Sequence, residues 1–326
     1  MTAETQKMTT VAVRPTSGDT TKRTILFGIG LAAGLVAPFL LYPVFLMKVL
    51  CFALFACAFN LLIGYAGLLS FGHAAFFGGA AYVTAHAAKV WGLPPELSIL
   101  LGAASAAVLG LAFGALAIRR QGIYFAMITL ALSQMVFFLA LQLKFTGGED
   151  GIQGVPRGQL FGLFDLNQPL VMYYFVLAVF LFGFAVIWRT VHSPFGQVLK
   201  AIRENEPRAV SLGYRTERYK LLAFVLSATL AGLAGGVKAL VFQLASLTDV
   251  QWQMSGEVVL MTLLGGMGTL FGPVVGAALV VTLQNYLAAT NLPVTVVIGA
   301  IFVVCVLLFR RGIVGELQAI LARRKS

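Results

Sequence analysis

Residues 189–220 read RTVHSPFGQVLKAIRENEPRAVSLGYRTERYK and interrupt an otherwise almost continuously apolar chain. The stretch sets Arg189, Lys200, Arg203, Arg208, Arg215, Arg218 and Lys220 against Glu204, Glu206 and Glu217. A Lys or Arg at mid-bilayer costs about 3 kcal/mol. The segment must therefore sit in water, and its basic excess assigns it to the cytoplasmic side. What surrounds it is set by composition: 59% of the 326 residues are hydrophobic and 11% charged. Soluble domains carry roughly 25% charged residues, so the chain reads as an all-α polytopic integral membrane protein. The net charge of +11 then reflects loop bias rather than a nucleic-acid surface. Cys51, Cys57 and Cys305 all lie in apolar segments, with no disulfide framework and no metal-ligand spacing.

A crossing needs about 20 apolar residues. Candidates are 25–46, 49–69, 71–88, 97–118, 123–143, 169–188, 221–244, 257–270, 273–289 and 294–309. That predicts about ten transmembrane helices, with eight to ten plausible because 257–270 is short enough to be broken or re-entrant. Met47 and Lys48 would form a tight outer turn, 144–168 the longest outer loop and 245–255 a short one. Residues 1–24 read as an uncleaved cytoplasmic tail, 25–309 as the transmembrane domain and 310–326 as a basic cytoplasmic tail. With both termini cytoplasmic, only Lys48, Lys89, Lys144 and Arg157 of the 23 basic residues fall outside, and Lys238 lies within a span. The inverted orientation would reverse that bias.

The charged stretch has a helical grammar of its own. Ser193 is a suitable N-cap and Pro194 a suitable first residue, while Phe195, Val198, Leu199 and Ile202 recur with helical period. Pro207 ends that helix, and Ala209, Val210 and Leu212 predict a further short turn closed by Gly213. Such an amphipathic piece lies on lipid, docks on a protein, or is a solvated connection.

Two Gly-rich stretches break the pattern of the spans: Gly64, Gly67, Gly72 and His73 in the first, and Gly265, Gly268, Gly272 and Pro273 in the second. Breaks of this kind line a solute path or pack helices closely, and both readings stand. Asn60, His73, Thr129, Ser133, Gln134, Gln243, Gln284 and Asn285 are the polar groups expected to face a cavity rather than lipid. Lys238 is read as snorkelling to the outer interface, with an anionic solute as the other reading, and Glu257 as capping an outer helix start. No phosphate loop, HExxH or GxSxG is present. No catalytic or metal site is expected.

Three stretches carry a family resemblance: GYAGLLSFGHAAFFGGAAYVTA (64–85), SPFGQVLKAIRENEPRAVSLGYRTERYKLLAFVLSATLAGLAGG (193–236) and LLGGMGTLFGPVVGAAL (263–279). They resemble the permeases of branched-chain amino acid ABC importers (the LivH/LivM family), with the long N-terminal part similar to the LivM type. The resemblance implies a bacterial cytoplasmic (inner) membrane protein in a heterodimer with a LivH-like second permease. It also implies two LivG/LivF-like ATP-binding subunits, which hold ATP and Mg, and a periplasmic solute-binding protein. No cofactor is expected on this chain. The resemblance gives residues 189–220 the role of a coupling segment, with Ser193, Pro194, Phe195, Gly196, Lys200, Arg203, Glu204, Asn205, Ala209, Leu212 and Gly213 matching the family block. The path candidates are then Asn60, Gly64, Gly67, Gly72, His73, Thr129, Ser133, Gln134, Lys238, Gln243, Gly265, Gly268, Gln284 and Asn285. Because Lys238 departs from the apolar residue expected there, urea, short amides or other small carboxylated solutes remain alternatives to aliphatic amino acids. From a different class, an ion-coupled carrier would need mid-membrane charge relays, and a channel would need a filter motif.

Overall fold

The computed structural model describes residues 30, 32, 34–287, 296–297, 299–300, 303 and 312–316, and the chain divides into two units at Pro43. In the first unit residues 34–40 are helical, with Leu35, Phe39 and Leu40 exposed. The second unit contains α1 (Pro43–Asn60), α2 (His73–Lys89), α3 (Pro95–Ala117), α4 (Ile123–Gln142), α5 (Pro169–Val191), α6 (Pro194–Glu204), α7 (Glu206–Ser211), α8 (Thr216–Phe242), α9 (Trp252–Gly265) and α10 (Gly272–Leu287). Proline sets many of these boundaries. Pro95, Pro169 and Pro194 open their helices and Pro207 lies in the first turn of α7, positions where the missing N–H leaves no bond unmade.

Proline also corrects one expectation. No tight turn exists at Met47 and Lys48; the break falls at Leu41 and Tyr42, and α1 begins at Pro43. Met and Lys are good helix formers, whereas a proline cannot continue the helix before it. Lys48 is therefore a half-buried helix residue rather than a loop residue. A second correction concerns α9, which starts at Trp252, so Glu257 stands well inside the helix and caps nothing.

Among the described residues, five helices are long and apolar enough to cross a membrane: α3, α4, α5, α8 and the run Pro43–Ala66, in which α1 continues as a π-helical turn (Leu61–Ala66). At 1.5 Å per residue, 24 residues reach about 36 Å, more than the roughly 30 Å of hydrocarbon. The helices α2, α9 and α10, of 17, 14 and 16 residues, are shorter. Of the span expected at 25–46, residues 25–29, 31 and 33 lie outside the described residues, and the span expected at 294–309 lies largely outside them.

Helices α2 and α8 form the centre, with α8 packed against α1, α2 and α3 and α1 against α5 and α10. Phe55 stacks on Phe77 with centroids 4.5 Å apart. Exposed Leu100, Val108, Leu111, Met127, Met135 and Phe138 leave α3 and α4 with apolar outer faces suited to lipid. The central contact depends on small residues: a Cβ at Gly235 would lie 2.7 Å from the Phe77 carbonyl carbon. Gly235→Ala should therefore destabilise the protein by about 2–3 kcal/mol through overpacking. The check is thermal unfolding in detergent, where the variant should melt below the wild type.

At the end of α8 far from the charged stretch, β1 (Ile152–Gln153) pairs antiparallel with β4 (Leu244–Ala245), while β2 (Gln159–Leu160) and β3 (Phe164–Asp165) form a separate ribbon. Arg157 Nη2 donates to the Val241 carbonyl at 2.8 Å and Val155 N to that of Gln243 at 3.1 Å. These bonds satisfy carbonyls that the helix end leaves open. Gln243 itself closes α8 in the left-handed region, with φ 53°.

Candidate coupling site and solute path

The charged stretch folds as α6 and α7, plus the first turn of α8. Ser193 caps α6, its hydroxyl accepting from Gly196 N at 3.4 Å, and Asn205 caps α7, accepting from Arg208 N at 3.0 Å. Gly196 is buried in the corner between α5 and α6, where a Cβ would overlap the Thr190 and Val191 carbonyls. The apolar stripe turns inward. Leu199 and Ile202 are buried, and Phe195 stacks on Tyr219 with centroids 5.7 Å apart. That stripe is thus covered by this chain's own helices. The large apolar groups left exposed are Val210, Leu212 and Tyr214, around and after the end of α7, while Ala209 is buried. Gly213 turns the chain with φ 88°.

Glu206 ties this segment to the bundle. Its carboxylate accepts from Lys220 Nζ at 2.6 Å and from Gln121 Nε2 at 2.7 Å. A cleft of about 430 Å³ opens between residues 66–68, the turn at Gln121 and Gly122, and residues 202–207, Glu204 among them.

Arg203 joins α6 to both Gly-rich breaks. Its Nη1 donates to the Gly64 carbonyl in the π-helical turn, and its stem packs over Gly67, which closes that turn with φ 72°. A Cβ at Gly268 would lie 3.3 Å from the same Nη1. Asn60 completes the junction: its Nδ2 donates to the Thr269 carbonyl at 2.9 Å and its Oδ1 accepts from Gly268 N at 2.9 Å. Lys200 adds a cation over the Tyr65 ring at 5.6 Å. Asn60 and Gly268, 208 residues apart in the chain, are thereby tied to one another, and Arg203 ties the same turn to α6. The absence of side chains at Gly64 and Gly268 permits this approach, since a Cβ at Gly64 would fall 2.7 Å from Gly268 N.

The structure gives several path candidates other duties. His73 is fully buried, 2.9 Å from Ser227 Oγ, with its ring edge-on to Phe59, Phe76 and Phe224. Thr129 Oγ1 accepts from Phe71 N at 3.1 Å, holding the chain just before Gly72. Asn60, His73 and Thr129 thus make packing and cross-linking contacts. Gly265 lies against the Gly272 backbone, where α9 meets α10. Ser133 Oγ and Gln134 Nε2 are buried, with no hydrogen-bond partner among the described residues. Gln243 and Asn285 are exposed, and Gln284 Nε2 donates to Glu257 Oε2 at 3.1 Å.

Lys238 does not snorkel. It is 9% exposed and paired with Asp249 at 2.6 Å, and Asp249 also accepts from Ser246 N and Oγ. Asp249 escaped the sequence reading, although it is the one acid between Glu217 and Glu257. The Glu206, Gln121 and Lys220 junction was also missed, because sequence spacing gives no hint that the turn after α3 returns to α7.

A family model described as branched-chain amino acid transport system / permease component matches residues 43–307. The high-affinity branched-chain amino acid transport system permease protein LivM of Escherichia coli (strain K12) is 28% identical over 277 residues, covering 78% of this chain and 65% of that relative. The ribose import permease protein RbsC of Bacillus subtilis (strain 168) is 28% identical over 235 residues, 68% of this chain and 70% of the relative. The autoinducer 2 import system permease protein LsrC of Salmonella typhi is 29% identical over 175 residues, 51% of this chain and 48% of the relative. This chain thus spans a little under two thirds of the length of the LivM relative. No solved structure matches it. A match across residues 43–307, over the helices and junctions described above, places the chain in the branched-chain amino acid transport permease family.

Proposed function

We propose that this chain is the membrane-embedded permease subunit of an ABC-type importer for branched-chain or related amino acids. In this reading α6 and α7 face the cytoplasm and receive the motion of separate ATPase subunits, which carry out the nucleotide chemistry. A second permease completes the path and a periplasmic binding protein delivers the solute. The positive-inside bias supports this orientation, with Arg119, Arg120 and the basic coupling segment at one end of the bundle.

The observation that carries the reading is the Arg203 junction. A helix outside the membrane is bonded to a π-helical turn at the end of a span, and the same turn is tied through Asn60 to the loop between α9 and α10. A displacement of α6 cannot leave these two breaks unmoved without breaking charged or buried hydrogen bonds. Packed elements of this kind move as rigid bodies between discrete arrangements. Rocking of bundles about a central site is how alternating access proceeds in many transporters. The exposed Val210 and Leu212 supply apolar contact area next to α6.

The test is co-purification of the tagged chain from its native membrane in mild detergent. Recovery with a second permease and two ATP-binding subunits is the expected result. Recovery of the chain alone, in an active transporting form, would overturn the reading in favour of a carrier.

A further inference from the structure

In the half of the bundle away from the coupling segment, four polar side chains lie near the ends of their helices. Lys48 is the sixth residue of α1 and Glu257 the sixth of α9, while Lys238 lies four residues before the end of α8 and Gln284 three before the end of α10. With a rise of 1.5 Å per residue, each is within about 8 Å of its helix end. Gln284 bonds Glu257, and Lys48 lies within electrostatic reach of both Glu257 and Lys238, which joins the four side chains into one polar layer.

Two of the charges in this layer are left over. Lys238 is neutralised by Asp249. Glu257, half-buried, accepts from Gln284 and lies within electrostatic reach of the Lys48 ammonium. Lys48 is also half-buried, yet among the described residues it makes no hydrogen bond or ion pair. A carboxylate and an ammonium thus stand on neighbouring helices without closing on each other, both partly screened from solvent. An unsatisfied pair of opposite charges held apart matches a zwitterion, which presents the complementary charges two bonds apart on one carbon.

We propose that Glu257 and Lys48 receive the α-ammonium and α-carboxylate of the transported amino acid, with Gln284 fixing the Glu257 carboxylate. This assignment rests on the amino-acid import reading and adds a recognition site to it within this chain. It also separates recognition from Lys238, whose charge is already engaged.

The test uses the complete transporter reconstituted in liposomes with its binding protein, and radiolabelled L-leucine as probe. Failure of the wild type to import leucine would sink the amino-acid reading itself, before any variant is compared. Given import by the wild type, Glu257→Gln and Lys48→Gln should each lower uptake at least tenfold with the subunits still recovered as a complex, and Glu257→Asp should retain more uptake than Glu257→Gln. Uptake at the wild-type rate in either Gln variant overturns the proposal. Loss of assembly in both overturns it as well, since that marks a structural pair holding α1 to α9.

Discussion

Replacing Arg203 by alanine should lower solute uptake by roughly tenfold or more while ATP hydrolysis by the assembled transporter continues. The side chain makes a charged hydrogen bond to the Gly64 carbonyl and covers Gly67. Bonds to a charged group contribute about 1.5–3 kcal/mol, and 1.4 kcal/mol is a factor of ten in rate. The carbonyl it serves belongs to a π-helical turn, where the ordinary bonding ladder is already disturbed. With Arg203 gone, α6 remains anchored by Leu199 and Ile202, so folding and ATPase docking survive but the link to the breaks does not. Lysine at 203 should give an intermediate result, because it keeps the charge but not the planar fork that reaches the carbonyl while packing over Gly67. The measurement is the number of ATP molecules hydrolysed per solute imported, which rises in Arg203→Ala. An unchanged ratio would show that the bond carries no motion.

The second large effect concerns stability. Asp249→Ala leaves the Lys238 ammonium buried and unpaired, which costs about 3–5 kcal/mol. The double variant Lys238→Met with Asp249→Leu should be far less destabilised, because it removes both charges and fills the space. A double-mutant cycle on thermal unfolding in detergent measures the coupling. Were Asp249→Ala to melt like the wild type, Lys238 would be reaching water at the membrane surface and the pair would contribute nothing.

Much of the charged segment was legible in the sequence, because its signals are local. Ser193 and Pro194 announce a helix start by chemistry that operates within one turn, and the structure places the cap there. The helical period of Phe195, Val198, Leu199 and Ile202 identified an apolar face but not what covers it. Period reports that a face is buried and is silent on the partner, which here is this chain's own bundle. Hydropathy likewise could not separate 25–46 from 49–69 correctly, since Pro43 sits among equally apolar residues and a single polar Lys48 drew the turn to itself. The pairing of Lys238 with Asp249 depends on a chain reversal at Gln243 and a 3-10 turn at Leu247–Asp249, neither of which leaves a periodic trace. The Gly-rich breaks were visible as breaks. Their mutual contact through Asn60 and Arg203 was not, because it joins residues far apart in the chain through side chains whose types are common in loops.

The central claim is that α6 and the two breaks move as one body. It is tested most directly by a distance between spin labels at Ala201→Cys on α6 and Met267→Cys in the second break, both exposed positions, with the native cysteines replaced. Pulsed electron resonance on the assembled transporter should give one narrow distance, the same without nucleotide and with ATP trapped, and Arg203→Ala should broaden it. A distance that shifts between the two nucleotide states in the wild type, by as much as it does in Arg203→Ala, would contradict the account.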